Sequence, residues 1–116
     1  MSDYMPYMDS AVQENLRLIK ESVLKVIPDT EAIYLFGSFV NGTPHKDSDL
    51  DICVIAPDNV GKIIDLQVDV RRGLRHTSFD MPMDLIIKRS TKFHQRKQVA
   101  TFDKVIAREG VVIYGQ

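Results

Sequence analysis

The stretch that decides the fold reads Tyr34-Leu-Phe-Gly-Ser-Phe-Val-Asn-Gly-Thr-Pro-His-Lys-Asp-Ser-Asp-Leu-Asp-Ile-Cys-Val-Ile55. Two apolar runs typical of strands, 32–36 and 52–56, lie on either side of a polar loop that contains glycine and proline. The loop begins at Gly37-Ser38, and Asp49 to Ala56 is predicted to be the second strand. Because alternate side chains of a strand share a face, Asp49 and Asp51 should project together, about 7 Å apart.

Two carboxylates aimed at one spot favour a divalent cation. Like charges about 5 Å apart repel by about 3 kcal/mol at an effective dielectric constant near 20. Mg²⁺ usually binds one or two carboxylates and completes its shell with water and substrate phosphates. Gly37 allows backbone to approach such phosphates closely, and Ser38 can cap a following helix whose N–H groups point at an anion. The sequence therefore predicts a metal site and a phosphate site facing each other across a cleft.

A third acidic residue interrupts an apolar run further along the chain. Met81 to Lys88 is predicted to be a strand, with Pro82 tolerated near its start, and Asp84 lies inside it. A buried charge is unfavourable without a partner, so Asp84 requires a hydrogen bond or a metal ion. Considered alone, an acidic residue in such a run is as often a solvated residue at the edge of a sheet as a metal ligand.

The composition is that of an ordinary globular domain. With 116 residues, 44% hydrophobic and 27% charged, we expect one domain over 1–116, with residues 1–9 loosely ordered. The apolar runs are too short to span a bilayer, and no secretory signal is present, so a cytoplasmic location is expected. The single Cys53 cannot form an internal disulfide and should be a buried thiol. A formal net charge of −1 gives no general attraction to nucleic acid.

The remaining segments alternate between helical and strand patterns, which predicts an α/β (α+β) fold with a small mixed sheet flanked by helices. The first predicted helix runs from Ser10 to Pro28-Asp29, and a short helix runs from Gly37-Ser38 to Asn41-Gly42. A third helix starts at Pro57-Asp58-Asn59, and its inward residues are Ile63, Leu66, Val70 and Leu74. A fourth covers Lys92 to Ala107 with Phe93, Val99, Phe102 and Ile106 inward, and a strand over Val111 to Tyr114 follows it.

The central stretch resembles the signature of the DNA polymerase β-like nucleotidyltransferases. The resemblance lies in Gly37-Ser38, ten intervening residues, and Asp49-x-Asp51 leading into a β-branched apolar run. In its brevity the chain is similar to the minimal nucleotidyltransferase (MNT) branch. The resemblance implies that Asp49, Asp51 and Asp84 hold two Mg²⁺ ions, while Gly37 and Ser38 hold the β- and γ-phosphates of ATP. Asp84 would be the third carboxylate, which the family carries on a neighbouring strand, and would help to deprotonate the acceptor hydroxyl.

The same resemblance implies a reaction and a partner. The reaction is metal-dependent transfer of AMP from ATP to a hydroxyl, with release of pyrophosphate. MNT proteins are frequently antitoxins that silence an all-helical HEPN ribonuclease by adding AMP, which implies a Tyr, Ser or Thr of a HEPN toxin as acceptor. The chain departs from many relatives in having Phe39, Val40 and Asn41 where they carry arginines. It also has no room for the second domain with which larger relatives grip the base.

Two other functions remain open at this level. A non-catalytic antitoxin that occludes its partner would not require a repulsive acidic cluster, and a metal-dependent nuclease would leave Gly37-Ser38 without a task.

The basic series Lys88, Arg89, Lys92, Arg96 and Lys97 is either a solvated helix face or a docking site for an acidic partner or a triphosphate. Arg71, Arg72 and Arg75 cluster where cations stabilise a helix end, and Arg75 and His76 are alternatively outer contacts for a nucleotide or a partner. His45 is either a solvated loop residue or a contact for phosphate or acceptor. The apolar residues within 1–9 are consistent with contact to a partner or a second copy of the chain.

Overall fold

The computed structural model describes residues 10–37, 49–99 and 102–115. These residues form helices α1 (Ser10–Val26), α2 (Ile63–Leu74), α3 (Ser90–Arg96) and α4 (Phe102–Glu109), and strands β1 (Ala32–Phe36), β2 (Leu50–Ala56), β3 (Met83–Arg89) and β4 (Val111–Gly115). None of the helices in these ranges is long and apolar enough to cross a membrane. The short helix predicted after Gly37-Ser38 and the predicted loose segment 1–9 lie outside the described residues.

The four strands form one mixed sheet in the order β3-β2-β1-β4. Strand β1 pairs antiparallel with both β2 and β4, whereas β2 and β3 run parallel. A parallel pair needs a crossover connection, and here the crossover contains α2. The predicted mixed sheet flanked by helices is therefore confirmed, and the two strands beside the quoted loop form its centre.

One face of the sheet carries the larger apolar cluster, to which α1 and α2 contribute. Leu16, Ile19 and Val23 of α1 are fully buried at the predicted three- and four-residue spacing. From the other elements the cluster includes Ile33, Leu35, Leu50, Ile52, Val54, Val70 and Leu74. Burying one such side chain contributes about 1.5–3 kcal/mol, so this face supplies most of the hydrophobic stabilisation.

The opposite face carries a smaller cluster beneath α3 and α4. Cys53 and Ile55 of β2 meet Phe93 of α3 and Ile106 of α4 there. These covering helices have only 7 and 8 residues. Asp51 lies at one end of this face and is partly buried.

The prediction of one helix over 92–107 was wrong, because the structure has two helices there, α3 and α4. Val99 and Phe102 were expected to face the core, but they are 53% and 48% exposed. Asp103 turns inward instead, with its carboxylate 2.8 Å from Nζ of Lys88 and 3.5 Å from Nε of Arg96. A buried carboxylate requires such partners, and apolar spacing alone does not reveal that requirement.

The predicted start of α2 near Asp58 was also wrong, since the helix begins at Ile63. The Asp58 carboxylate accepts hydrogen bonds from the N–H and the hydroxyl of Thr91 instead of capping α2. The carbonyl groups of Asp58, Val60 and Gly61 accept hydrogen bonds of 2.9–3.0 Å from the Arg89 guanidinium. These bonds, made with residues about 30 positions away, hold the segment as a turn and delay the helix.

Two strands begin later than predicted. Strand β2 begins at Leu50, so Asp49 lies immediately before it, and β3 begins at Met83 and extends to Arg89. The N–H of Leu50 donates to the carbonyl of Pro82 at 2.9 Å, and Pro82 has no N–H of its own to continue a ladder. The parallel pair therefore starts just after the proline.

Cys53 is a fully buried thiol, as predicted, and burial raises its pKa to about 12. Since the thiolate is the reactive form, the native protein should not react with Ellman's reagent over an hour at about pH 8. After unfolding in denaturant, one thiol per chain should react within minutes. Rapid labelling of the native protein would instead show that β2 opens locally.

Candidate active site

Asp51 and Asp84 lie side by side on neighbouring strands. They are paired positions in the parallel β2–β3 ladder, where strands are about 4.8 Å apart, so their side chains leave the same face of the sheet. Asp49 and Asp84 are exposed, and Asp51 is partly buried. We call these three residues the acid row. The structure thus places Asp84 next to Asp51, on the neighbouring strand that the resemblance implied.

The members of the acid row interact electrostatically. Burial raises the pKa of Asp51 above its ordinary value, and the negative charges of Asp84 and Asp49 raise that pKa further. The ionised form of Asp51 is therefore disfavoured by its surroundings. A cation bound in the row would reverse the sign of these interactions, which makes the site suited to binding one.

Gly37 lies against the acid row at the end of β1. Its neighbour Phe36 is paired with Asp51 in the antiparallel β1–β2 ladder. Gly37 has a φ of +83°, in the left-handed region that favours glycine. A Cβ at this position would overlap Oδ2 of Asp51 and lie 2.9 Å from its Cγ. The glycine is therefore required for the position of the Asp51 carboxylate as well as for the backbone turn.

The donor atoms of the acid row fit Mg²⁺. All are carboxylate oxygens, which this hard cation prefers. Within residues 10–37, 49–99 and 102–115, no three Asp, Glu, His or Cys side chains are placed to hold a metal ion by themselves. The three carboxylates of the acid row therefore do not form a complete metal site by themselves, and Mg²⁺ bound there would take its remaining ligands from water and substrate phosphates.

The structure describes only part of the predicted phosphate site. Gly37 is described, whereas Ser38 and the loop through residue 48, which includes His45, lie outside the described residues. The role of Ser38 in holding phosphates therefore stays a prediction.

An aromatic pair connects the acid row to α4. Phe36, paired with Asp51, packs edge-on against Phe102, with ring centroids 5.4 Å apart. Nζ of Lys88 lies 5.7 Å from the centre of the Phe102 ring. Sequence reasoning missed this connection because it assigned Phe102 to the core. The available signal was Lys88, which follows Asp84 by four positions in one strand and therefore shares its face.

The arginines near the end of α2 have structural partners. Arg71 donates a hydrogen bond of 3.1 Å to the carbonyl of Met83, and Arg72 donates one of 3.0 Å to Asp69. Arg75 and His76 are exposed. These contacts favour the structural interpretation of Arg71 and Arg72, and they fix the start of β3 beside Asp84.

The sequence of the chain matches a family model. The model "Polymerase beta, Nucleotidyltransferase" covers residues 19–116, which include the whole sheet and the acid row. The chain belongs to this nucleotidyltransferase family. The family membership confirms the resemblance drawn from Gly37-Ser38 and Asp49-x-Asp51, and the nucleotidyltransferase fold agrees with the observed mixed sheet.

Several relatives of this nucleotidyltransferase are known. The chain is 36% identical over 78 residues to protein adenylyltransferase MntA of Shewanella oneidensis, covering 67% of this chain and 54% of that protein. The chain thus spans about half the length of this curated relative. A chain in a crystal structure of a toxin-antitoxin with AMP-PNP is 26% identical, with a TM-score of 0.56 over 86% of this chain and 73% of that one.

A second solved structure contains tri-AMPylated S. oneidensis HEPN toxin in complex with MNT antitoxin. A chain of that complex is 26% identical to this one, with a TM-score of 0.53 over 90% of this chain and 72% of that one. The match confirms that the fold is shared with proteins of toxin-antitoxin complexes.

Proposed function

We propose that this nucleotidyltransferase transfers the AMP unit of ATP to a hydroxyl group of a partner protein. The observation that carries the proposal is the acid row, in which carboxylates from two strands lie together beside Gly37. The relatives support the choice of nucleotide and acceptor, since one is a protein adenylyltransferase, one complex contains AMP-PNP, and another contains an AMPylated toxin.

The reaction forms one bond and breaks another at the α-phosphorus of ATP. The acceptor oxygen bonds to this phosphorus, and the bond from the α-phosphorus to the oxygen bridging to the β-phosphate breaks. Pyrophosphate leaves with the electron pair of that bond. The proton of the acceptor hydroxyl passes to Asp84, which is exposed and next to Asp51 and so is accessible to the acceptor.

Asp49, Asp51 and Asp84 would hold the two Mg²⁺ ions. When bound, these ions supply neutralisation of charge on the phosphate oxygens and activation of the acceptor oxygen. Gly37 and Ser38 would hold the β- and γ-phosphates. Transfer of this kind needs mainly positioning and charge stabilisation, which a small domain can provide.

The partner that fits this reaction is a HEPN-type toxin. In this proposal the chain is the antitoxin of the pair, and the acceptor is a Tyr, Ser or Thr hydroxyl of the toxin. Both proteins would act in the cytoplasm. The AMPylated HEPN toxin in complex with a structurally similar chain supports this partner.

The test uses the full chain, a HEPN-type toxin from the same genome, Mg²⁺ and ATP labelled on the α-phosphate. We expect label on the toxin and release of unlabelled pyrophosphate. ATP labelled on the γ-phosphate should leave the toxin unlabelled, which separates AMP transfer from kinase activity. EDTA and the double substitution Asp49→Asn, Asp51→Asn should each abolish labelling.

One outcome would support occlusion of the toxin instead of AMP transfer. If the double variant labels nothing but still protects cells from the toxin as well as the wild type does, the chain acts by occluding its partner. In that case AMP transfer is not its antitoxin function.

A further inference from the structure

A basic cavity of about 400 Å³ opens between β3, α3 and α4. Its polar wall holds the cations Lys88, Arg89, Lys92 and Arg96, and its apolar wall includes Ile87 and Phe93. Four cations face one lining carboxylate, Asp103, which leaves a net charge of about +3. The cavity therefore offers both charge and apolar surface to an anionic ligand.

Asp103 fixes the geometry of this cavity without neutralising it. Its side chain is only 3% exposed and pairs with Lys88 at 2.8 Å and with Arg96 at 3.5 Å. Arg89 donates hydrogen bonds to three backbone carbonyls of the turn at 58–61 and keeps its charge. Lys92 is exposed on α3. Lys88, Arg89 and Arg96 are thus held in place before any ligand arrives, which lowers the entropic cost of binding.

An exposed apolar patch adjoins the cavity on α4. Phe102 and Val105 are 48% and 47% exposed and three positions apart, so they lie on one face of the helix. Lys88 contacts both sites, since its Nζ pairs with Asp103 inside the cavity and lies 5.7 Å from the centre of the Phe102 ring. We call Lys88, Lys92, Arg96, Phe102 and Val105 the docking face.

The docking face is continuous with the acid row. Phe102 packs on Phe36, which is paired with Asp51. Lys88 and Asp84 share a face of β3 four positions apart, which corresponds to about 13 Å along the strand. A segment of three to five extended residues spans this distance, so a group bound at the cavity and a hydroxyl at the acid row can belong to one short segment.

We propose that the docking face binds the protein acceptor through a segment that carries Asp or Glu near an apolar side chain. The acidic group enters the basic cavity, and the apolar side chain packs on Phe102 and Val105. This inference rests on the proposed function and names the chemistry by which the acceptor is recognised. Under this proposal Lys88, Lys92 and Arg96 of the basic series serve to dock an acidic partner.

The surface fits a protein better than RNA. RNA binding gains from rows of cations along the phosphates and from flat aromatic platforms. Here the surface beside the cations includes the aliphatic side chain of Val105, on which a base does not stack. A protein segment can use both the charge and the aliphatic surface.

The test compares variants of the docking face with matched variants elsewhere. Val105→Asp and Lys92→Glu alter the docking face, while Val68→Asp and Lys25→Glu are the controls on α2 and α1. Val68 and Val105 are 46% and 47% exposed on helices, so their substitutions should affect folding equally. Toxin binding is measured by calorimetry without nucleotide, AMP-PNP binding is measured separately, and AMP transfer is measured against toxin concentration.

We expect the double variant of the docking face to weaken toxin binding at least tenfold and to raise the KM for toxin by a similar factor. Its affinity for AMP-PNP and its Tm should match those of the double control variant. In the wild type the KM for toxin should rise with salt, and this rise should be smaller after Lys92→Glu because a screened attraction has been removed.

Three results would overturn the inference. They are equal toxin binding by the two double variants, loss of AMP-PNP binding only in the docking-face variant, and binding of a single-stranded RNA oligonucleotide to the wild-type chain alone that is lost in the docking-face variant. The proposed function fails separately. If wild-type chain binds toxin through the docking face but transfers no AMP, the docking inference holds and the transfer proposal does not.

Discussion

Replacing Asp51 by Asn should lower the rate of AMP transfer about a thousandfold or more while leaving the protein at least as stable as the wild type. The metal-assisted stabilisation that the substitution weakens amounts to several kcal/mol, and each 1.4 kcal/mol corresponds to a factor of ten. Stability should not fall, because burial, Asp84 and Asp49 all raise the pKa of Asp51 and so disfavour its ionised form in the folded state. At neutral pH, well above the unfolded-state pKa, that ionised carboxylate destabilises the fold, and the neutral amide does not.

The measurement pairs transfer kinetics with thermal unfolding at neutral pH, with and without Mg²⁺. In the presence of AMP-PNP, Mg²⁺ should raise the Tm of the wild type more than that of the variant. Asp29→Asn, in the exposed turn before β1, is the control and should change neither rate nor Tm. A Tm well below that of the wild type would show that Asp51 has a structural role that the acid row does not explain.

Replacing Gly37 by Ala should lower the transfer rate by a factor of about 100 or more, with a moderate loss of stability. The added methyl group would overlap Oδ2 of Asp51, so the carboxylate must rotate out of the acid row. A misplacement of about 1 Å in a reacting group can reduce a rate about a hundredfold. The φ of +83° adds strain of about 1–2 kcal/mol for a residue with a side chain.

Gly61→Ala is the matched control. No atom lies within 4 Å of a Cβ built at Gly61, so this substitution should leave the transfer rate unchanged. By reducing the entropy of the unfolded chain it could add up to about 1 kcal/mol of stability. Equal transfer rates for the two alanine variants would show that the Asp51 carboxylate accommodates the methyl group, and that Gly37 serves only the turn.

The sequence predicted the sheet well because strands depend on short-range patterns. Apolar runs mark β1 and β2 whatever surrounds them, a carboxylate within an apolar run singles out Asp84, and the resemblance to the nucleotidyltransferases joins Asp84 to Asp49 and Asp51. The sequence could not reveal that Asp84 would be paired in register with Asp51. That pairing depends on the length of the crossover and on the start of β3 after Pro82.

The errors lie where long-range polar contacts override local pattern. Asp58 looked like a helix cap, but its partner is Thr91 of α3. Phe102 looked like a core residue of a long helix, but two helices are present, Asp103 faces inward to Lys88, and the Phe102 side chain is 48% exposed. Each polar partner is distant in sequence, so no window of neighbouring residues contains the information. The docking face depends on these contacts and could not be predicted as a surface.

The order in which the strands meet sets when catalytic competence arises during folding. Phe36 and Asp51 are 15 positions apart and pair directly, whereas Asp51 and Asp84 are 33 positions apart and pair across a crossover. Shorter loops close first, so a β1–β2 ribbon should form early and β3 should join it later. A chain in which β1 and β2 have paired but β3 has not yet joined would already contain the Gly37 turn and the carboxylates of Asp49 and Asp51, but it would not transfer AMP. Nascent or partly unfolded molecules would then be unable to consume ATP, and activity would appear only with the final closure of the sheet.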